Sequence, residues 1–190
     1  MEQARAACEG GAAVVQLRAK RATDRATLEM AVEIRSIARA SGALFFVNDR
    51  FDLALLAEAD GVHLGQDDVA PACLPAEVRR RLLIGRSTHT LAQARAACAE
   101  PVDYVAFGPV FETRSKDSPY DPRGLALLAH AVRSMAPHPV IAIGGIDLAR
   151  AASVVRAGAA GAAVISAVAG AIDSRAAARA LVRALEQAVP

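Results

Sequence analysis

The stretch from Ala43 to Asp68, ALFFVNDRFDLALLAEADGVHLGQDD, contains two short apolar runs that each lead into acidic residues. The first run, LFFVN, is followed by Asp49, and the second, GVHL, is followed by Gly65, Gln66, Asp67 and Asp68. The segment between them has room for one short helix, so we predict two parallel neighbouring strands joined by a right-handed crossover. Both acidic ends then lie at the carboxyl edge of the sheet, where ligands bind in parallel α/β folds.

Asp49, Asp68 and Asn48 would bring two carboxylates and an amide together at that edge. Oxygen ligands of this kind suit Mg²⁺ and a phosphate ester better than Zn²⁺, because no cysteine or imidazole cluster accompanies them. Either acid taken alone could instead be an ordinary loop residue or a helix N-cap.

The composition is that of a single α/β domain. The chain has 190 residues, of which 54% are hydrophobic but only 4% aromatic, and this is typical of a parallel sheet covered by helices. A formal net charge of +2 gives no reason to expect nucleic acid as a partner. The three cysteines are scattered and odd in number, which favours reduced thiols in a cytoplasmic protein, and no apolar run is long enough to span a membrane.

Strand and helix patterns alternate along the whole chain. The predicted strands are residues 13–18, 44–48, 61–64, 82–85, 103–108, 139–143 and 162–165, and a weaker helix is predicted over residues 71–80. This alternation fits either a (β/α)8 TIM barrel or a doubly wound sheet. No G-x-G-x-x-G motif follows the first strand, so we expect the barrel, as one catalytic domain over residues 1–190.

The chain opens on a helical pattern, residues 1–9, rather than on a strand. Because a (β/α)8 barrel needs eight strands, the sequence predicts that the first β-strand is missing and precedes Met1. That strand and the start of the helix would add roughly 15–25 residues. Without these residues the strands at 13–18 and 162–165 would have unpaired backbone N–H and C=O groups along one edge. We therefore expect the 190-residue chain, expressed without the upstream strand, to be insoluble, or folded but weakly active.

Two further regions carry groups suited to phosphate. Gln16, Arg18 and Lys20 alternate along the first strand and its exit, which places an amide and two cations on one face. A solvated edge with extended cationic side chains would give the same pattern, although Val14 and Val15, which precede these residues, are predicted to be fully buried. The last two strands end at Gly144-Gly145 and Ile165-Ser166, where backbone N–H groups could bind a phosphate or form plain turns.

Lys116 lies in the long loop after the strand at 103–108, beside Thr113 and Ser115. A loop of this length in a compact barrel is more often functional than not, although a solvated surface lysine is the simpler alternative. Among the histidines, His63 is predicted to be a core residue with satisfied hydrogen bonds, and His89 to lie near the site.

The motifs VQLRAK, VNDR, GVHLGQDD, GRSTHT, FGPVFETRSK, IAIGGI and VIS occur in the order and spacing of thiamine-phosphate synthases, and the chain resembles that family over essentially its whole length. The resemblance implies a (β/α)8 transferase that joins a pyrimidine diphosphate to a thiazole phosphate with Mg²⁺. The residues it implies for the pyrimidine diphosphate are Gln16, Arg18, Lys20, Asn48, Ser87 and Lys116, and among them Arg18, Ser87 and Lys116 are the expected catalytic residues. It implies Asp49 and Asp68 as Mg²⁺ ligands. For the thiazole phosphate it implies Thr113, Ser115, Gly145, Ile165 and Ser166.

The expected chemistry is a dissociative substitution in which diphosphate leaves once its charge is neutralised and the thiazole nitrogen attacks. It needs no protein nucleophile, which agrees with the lack of a Ser-His-Asp or Cys-His arrangement in the sequence. Two alternatives stay open. One is a thiazole tautomerase, which would lack most diphosphate ligands, and the other is a non-catalytic phosphate-binding regulator on the same scaffold. The sequence also leaves a homo-oligomer open.

Overall fold

The computed structural model describes residues 1–113 and 120–189. In these ranges seven parallel strands form one sheet in which each strand pairs with the next one along the chain. The strands are β1 (Val14–Leu17), β2 (Leu44–Asn48), β3 (Gly61–Leu64), β4 (Leu83–Thr88), β5 (Tyr104–Phe107), β6 (Val140–Ile143) and β7 (Gly161–Ala163). This is a TIM-like half-barrel, which confirms the predicted parallel α/β fold and the pairing of β2 with β3. An eighth strand stays a prediction.

Helices connect the strands and cover the outer face of the sheet. They are α1 (Glu2–Glu9), α2 (Asp24–Ser41), α3 (Phe51–Leu56), α4 (Ala76–Arg81), α5 (Leu91–Cys98), α6 (Gly124–Met135), α7 (Leu148–Arg156), α8 (Ser166–Ala169) and α9 (Ser174–Glu186). No helix in the described part of the chain is long and apolar enough to cross a membrane.

The local sequence accounts for the longest helix, α2. Its Thr23 side chain accepts a hydrogen bond from the Ala26 N–H at the start of the helix, and Gly42 ends it in the left-handed conformation with φ 74°. Between these ends Ala31, Ile34 and Ala38 recur at helical spacing and are buried against the sheet.

Alternation along the strands separates an apolar outer face from a more polar inner face. Phe45, Val62, Ile84 and Val105 lie on the outer face and are at most 1% exposed. His63 directly follows Val62, and Ser87 lies three residues after Ile84, so both face the inner side of the sheet. The strand register places His63 beside Gly85 and Ser87 beside Ala106 on the neighbouring strands. The helices therefore hold the strands from outside, while the inner face carries polar chemistry.

Three predicted element boundaries are wrong. The strand predicted to end at residue 85 runs to Thr88, so Ser87 lies inside β4 rather than after it. The last strand ends at Ala163 rather than residue 165, because Ile165 leaves the extended conformation with ψ −76° and is the N-cap of α8. The single helix expected from residue 71 to 80 is split into a short 3₁₀ turn and α4, since Pro75 between them has no N–H to continue a helix.

Val14 was expected to be fully buried and is instead 46% exposed. It faces the inner side of β1, the edge strand, and the described residues provide no further strand to cover it. Val15 is only 7% exposed, because it faces the helices.

Candidate active site

A row of side chains links the carboxyl ends of β1 and β2. The Gln16 amide donates to Asn48 Oδ1, and Asn48 Nδ2 donates to Asp49 Oδ1. The Lys20 ammonium lies 3.5 Å from the other oxygen of Asp49. The structure thus joins four of the predicted ligands, including the Asp49 carboxylate, in one row of contacts.

Asp49 is held in an unusual backbone conformation at this edge. Its φ is 67°, a left-handed value that aspartate tolerates better than most residues. Its N–H donates to the His63 carbonyl at 2.8 Å, which joins the end of β2 to β3. Such a strained residue, held in place by its surroundings, is common in functional sites.

Asp68 completes the pair of carboxylates. Its Oδ2 accepts a hydrogen bond from the Gly65 N–H at 2.6 Å, which fixes the turn after β3. Burial raises the pKa of Asp49, and the nearby Asp68 carboxylate raises it further, while Lys20 acts in the opposite direction. Because the Asp49 and Asp68 carboxylates interact and repel each other, a cation bound between them would be stabilised.

The oxygen-rich donor set fits Mg²⁺. In the described ranges no group of three or more His, Cys, Asp or Glu side chains could hold a metal ion. The two carboxylates alone would leave most coordination positions for water and substrate phosphate, which is how Mg²⁺ is commonly bound.

A chain of hydrogen bonds crosses the inner face from β3 to β5. His63 Nε2 lies 2.7 Å from Ser87 Oγ, and His63 Nδ1 lies 2.8 Å from the Tyr104 hydroxyl. The imidazole also stacks on the Tyr104 ring, with the centroids 5.6 Å apart. Burial raises the pKa of Tyr104, so its hydroxyl stays protonated at neutral pH. Ser87 is therefore a buried hydroxyl oriented by a histidine.

The turn that carries Asp68 is anchored to β4 from two sides. Gln66 Nε2 donates to the Ser87 carbonyl at 2.6 Å, and Arg86 donates to the Val69 carbonyl at 3.4 Å. Arg86 is only 6% exposed, although it lies on the outer face of the sheet. These anchors restrict the position of the second carboxylate.

A second group of predicted ligands lies at the ends of β5 and β6. The Phe111 N–H donates to the Gly144 carbonyl at 3.0 Å, and Gly145 packs against the Phe111–Glu112 backbone. Thr113 follows directly and is half-buried. Gly145 and Thr113 therefore belong to neighbouring loops that contact each other, as a shared phosphate site requires.

The other predicted residues are placed as follows. Arg18 is exposed just after β1 and has no hydrogen bond or ion pair within residues 1–113 and 120–189. Ile165 is 56% exposed, and Ser166 opens α8 after β7, the strand that pairs with β6. Ser115 and Lys116 lie outside the described residues.

The sequence of residues 1–168 matches a family model described as thiamine monophosphate synthase. The chain belongs to the thiamine monophosphate synthase family. A thiamine-phosphate synthase from Anaeromyxobacter dehalogenans (strain 2CP-C) is 54% identical over 97% of this chain and 82% of the relative. Another, from Methanoculleus marisnigri (strain ATCC 35101 / DSM 1498 / JR1), is 50% identical over 94% of this chain and 84% of the relative. These relatives confirm the resemblance and the prediction of an enzyme of this family.

Solved structures agree with this assignment. Thiamine phosphate pyrophosphorylase from Pyrococcus furiosus superimposes with a TM-score of 0.92 at 40% identity, covering 100% of this chain and 90% of that one. A 3-hexulose-6-phosphate synthase superimposes with a TM-score of 0.71 at 19% identity, over 100% of this chain and 94% of that one, and shows the fold alone.

Reasoning from the sequence alone missed several residues that surround this site. His63 was predicted to be a satisfied core histidine, and its two hydrogen bonds confirm this, yet one of them reaches the candidate ligand Ser87. Tyr104, Gln66 and Arg86 were not predicted at all. Strand alternation from Ser87 could have placed Tyr104 on the inner face, but no sequence signal pairs it with His63.

Proposed function

We infer that this chain is a thiamine-phosphate synthase, which joins an aminopyrimidine methyl diphosphate to a thiazole bearing a phosphate and releases diphosphate. The observation that carries this inference is the Asp49–Asp68 carboxylate pair at adjacent strand ends, beside Lys20 and Asn48, in a chain that shares 54% identity with a thiamine-phosphate synthase.

Asp49 and Asp68 are the proposed ligands of Mg²⁺, which would supply positive charge against the leaving diphosphate. The raised pKa of Asp49 supports this role, because a cation between the carboxylates relieves the repulsion that causes part of the shift. Lys20 partly neutralises Asp49 and would turn toward the diphosphate once a metal ion takes over that charge.

The remaining diphosphate contacts are assigned to cations and amides around this pair. Arg18 is exposed and has no partner in the described ranges, so its guanidinium is available to a phosphate. Lys116 is assigned the same role from the sequence. The Gln16 and Asn48 amides would hold the pyrimidine diphosphate in place, and Ser87, oriented by His63, would contact it from the inner face.

The substitution requires positioning more than acid–base catalysis. The carbon–oxygen bond to diphosphate breaks and a carbon–nitrogen bond to the thiazole forms on the same carbon. Gly145, Thr113, Ser115, Ile165 and Ser166 are proposed to bind the thiazole phosphate. The ends of β1 to β4 would then hold one substrate and the ends of β5 to β7 the other, with the reacting atoms between them.

We assign the chain to the (β/α)8 barrel class and to one catalytic domain. The three cysteines are all free, which suits a reducing cytoplasm. A homo-oligomer is compatible with the fold.

The test is turnover of the purified protein with both substrates and Mg²⁺. We expect thiamine phosphate and diphosphate to appear in equal amounts, and neither to appear when one substrate is omitted. A tautomerase would interconvert thiazole isomers without releasing diphosphate, and a regulator would bind without turnover. Either result from a folded protein would overturn the proposal.

A further inference from the structure

The turn after β6 is fixed by two tethered carbonyl groups in succession. The Gly144 carbonyl accepts the Phe111 N–H at 3.0 Å. The next carbonyl, that of Gly145, accepts a hydrogen bond from Arg150 Nη1 at 2.7 Å. Both glycines have positive φ, 90° and 66°.

The direction of two N–H groups follows from these tethers. In a trans peptide the carbonyl and the following N–H point in opposite directions. Binding of the Gly144 carbonyl therefore turns the Gly145 N–H away from Phe111, and binding of the Gly145 carbonyl turns the Ile146 N–H away from Arg150. Neither N–H donates a hydrogen bond to any residue in the described ranges. Successive free N–H groups of this kind bind anions.

Arg150 is itself held firmly enough to act as a tether. Its guanidinium carbon lies 4.8 Å from the centre of the Phe111 ring, and its Nε lies 3.9 Å from Asp147 Oδ2. Asp147 also caps α7 by accepting the Arg150 N–H at 3.0 Å. The guanidinium thus joins the loop after β5 to the loop after β6 and offsets the negative charge of Asp147.

Without this tether the Gly145–Ile146 peptide would rotate more easily about ψ of Gly145 and φ of Ile146, because glycine, having no Cβ, restricts ψ less than other residues do. A rotated peptide would present its carbonyl oxygen, rather than its N–H, to a bound phosphate, and the two would repel each other. The tether on Gly144 would not prevent this, since it holds the preceding peptide.

We propose that Arg150 is a positioning residue for the phosphate of the second substrate: it holds the Gly145 carbonyl so that the Ile146 N–H faces the anion. The proposal rests on the proposed function of this site. It assigns to Arg150 a role in affinity for the thiazole phosphate, and none in the diphosphate half of the site.

The test compares Arg150→Met, Arg150→Lys and the matched control Arg156→Met. Methionine keeps an apolar stem against Phe111 but has no N–H donor, and Arg156 is an exposed residue at the other end of α7. For Arg150→Met we expect KM for the thiazole phosphate to rise about tenfold. This is the lower end of the effect expected from losing one charge-assisted hydrogen bond, and we use it because the Arg150 side chain is 45% exposed to solvent. KM for the pyrimidine diphosphate and kcat should change less than about twofold. Lysine should restore part of the affinity, and Arg156→Met should match the wild type.

An unchanged KM for the thiazole phosphate, or an equal rise in both KM values, would overturn the proposal. If the wild-type protein shows no turnover, the proposed function fails, and binding of inorganic phosphate then tests Arg150 separately. Phosphorus NMR should show weaker phosphate binding in Arg150→Met than in Arg156→Met. Equal binding by the two variants would exclude the positioning role.

Discussion

Gly145→Ala should both destabilise the fold and weaken binding of the thiazole phosphate. Gly145 has φ 66°, a value that disfavours any side chain. A Cβ at this position would lie 2.3 Å from the Glu112 carbonyl oxygen and 2.8 Å from Phe111 Cβ. Because the first of these atoms belongs to the backbone, relief requires the loops after β5 and β6 to move apart, and the turn would lose its shape.

A matched glycine allows the two costs to be separated. Gly42 has φ 74°, but a Cβ there would meet nothing within 4 Å. Gly42→Ala should therefore cost only the left-handed backbone penalty, about 1 kcal/mol, which lowers Tm by roughly 2–4 °C in a protein of this size. Gly145→Ala adds an overpacking cost of about 1–3 kcal/mol, so its total is about 2–4 kcal/mol and roughly 4–16 °C.

The assay is thermal unfolding of both variants, followed by KM for each substrate at a temperature where both are folded. Gly145→Ala should raise KM for the thiazole phosphate far more than KM for the pyrimidine diphosphate, and Gly42→Ala should change neither. Equal losses of Tm in the two variants, with no change in KM, would refute the close contact at Gly145 and its place in the site.

Two further predictions concern residues that support the site. Arg50 lies 2.6 Å from both Asp24 and Asp52 and holds the pKa of each acid below its usual value. Such ion pairs stabilise the folded protein above the unfolded-state pKa of about 3.8, and this stabilisation is lost as the pH falls through the lowered pKa. Arg50→Met should therefore lower Tm at pH 7 but not at pH 2. An equal loss of Tm at both pH values in thermal unfolding would contradict this reasoning. His63→Phe should remove the hydrogen-bond partner of both Ser87 and Tyr104, which should lower the free energy of unfolding by about 1–3 kcal/mol for each orphaned hydroxyl and also lower kcat. Tyr104→Phe should lower the free energy of unfolding less, as measured by urea unfolding, and keep kcat near the wild-type value. Equal kcat values in the two variants would show that His63 does not act through Ser87.

The sequence predicted the pairing of β2 with β3 and the approach of Asp49 to Asp68, because both follow from short-range features. Two apolar runs joined by one short helix must be parallel neighbours, and residues that follow parallel neighbours meet at one edge. The same logic placed Gln16 on the same face as Arg18, and the alternating burial of β1 agrees with it.

Contacts that depend on distant elements were beyond the sequence. His63 meets Ser87, 24 residues away, and Tyr104, 41 residues away, and strand periodicity gives the face of each but not the register that joins them. Arg150 is only five residues from Gly145, yet their contact depends on a turn with two positive φ values. Val14 was misjudged because burial depends on which neighbour covers an edge strand, and apolarity alone does not reveal this.

The most direct test of the central claim is the Mg²⁺ dependence of diphosphate release in Asp68→Asn, compared with Asp67→Asn. The two aspartates are adjacent, but Asp67 is exposed, while Asp68 is half-buried beside Asp49. If Asp49 and Asp68 hold the metal ion that neutralises the diphosphate, Asp68→Asn should lower turnover by roughly 10²-fold or more and need far more Mg²⁺ for half-maximal rate, and Asp67→Asn should resemble the wild type. Equal Mg²⁺ requirements and rates in both variants would contradict the assignment of the carboxylate pair as the metal site.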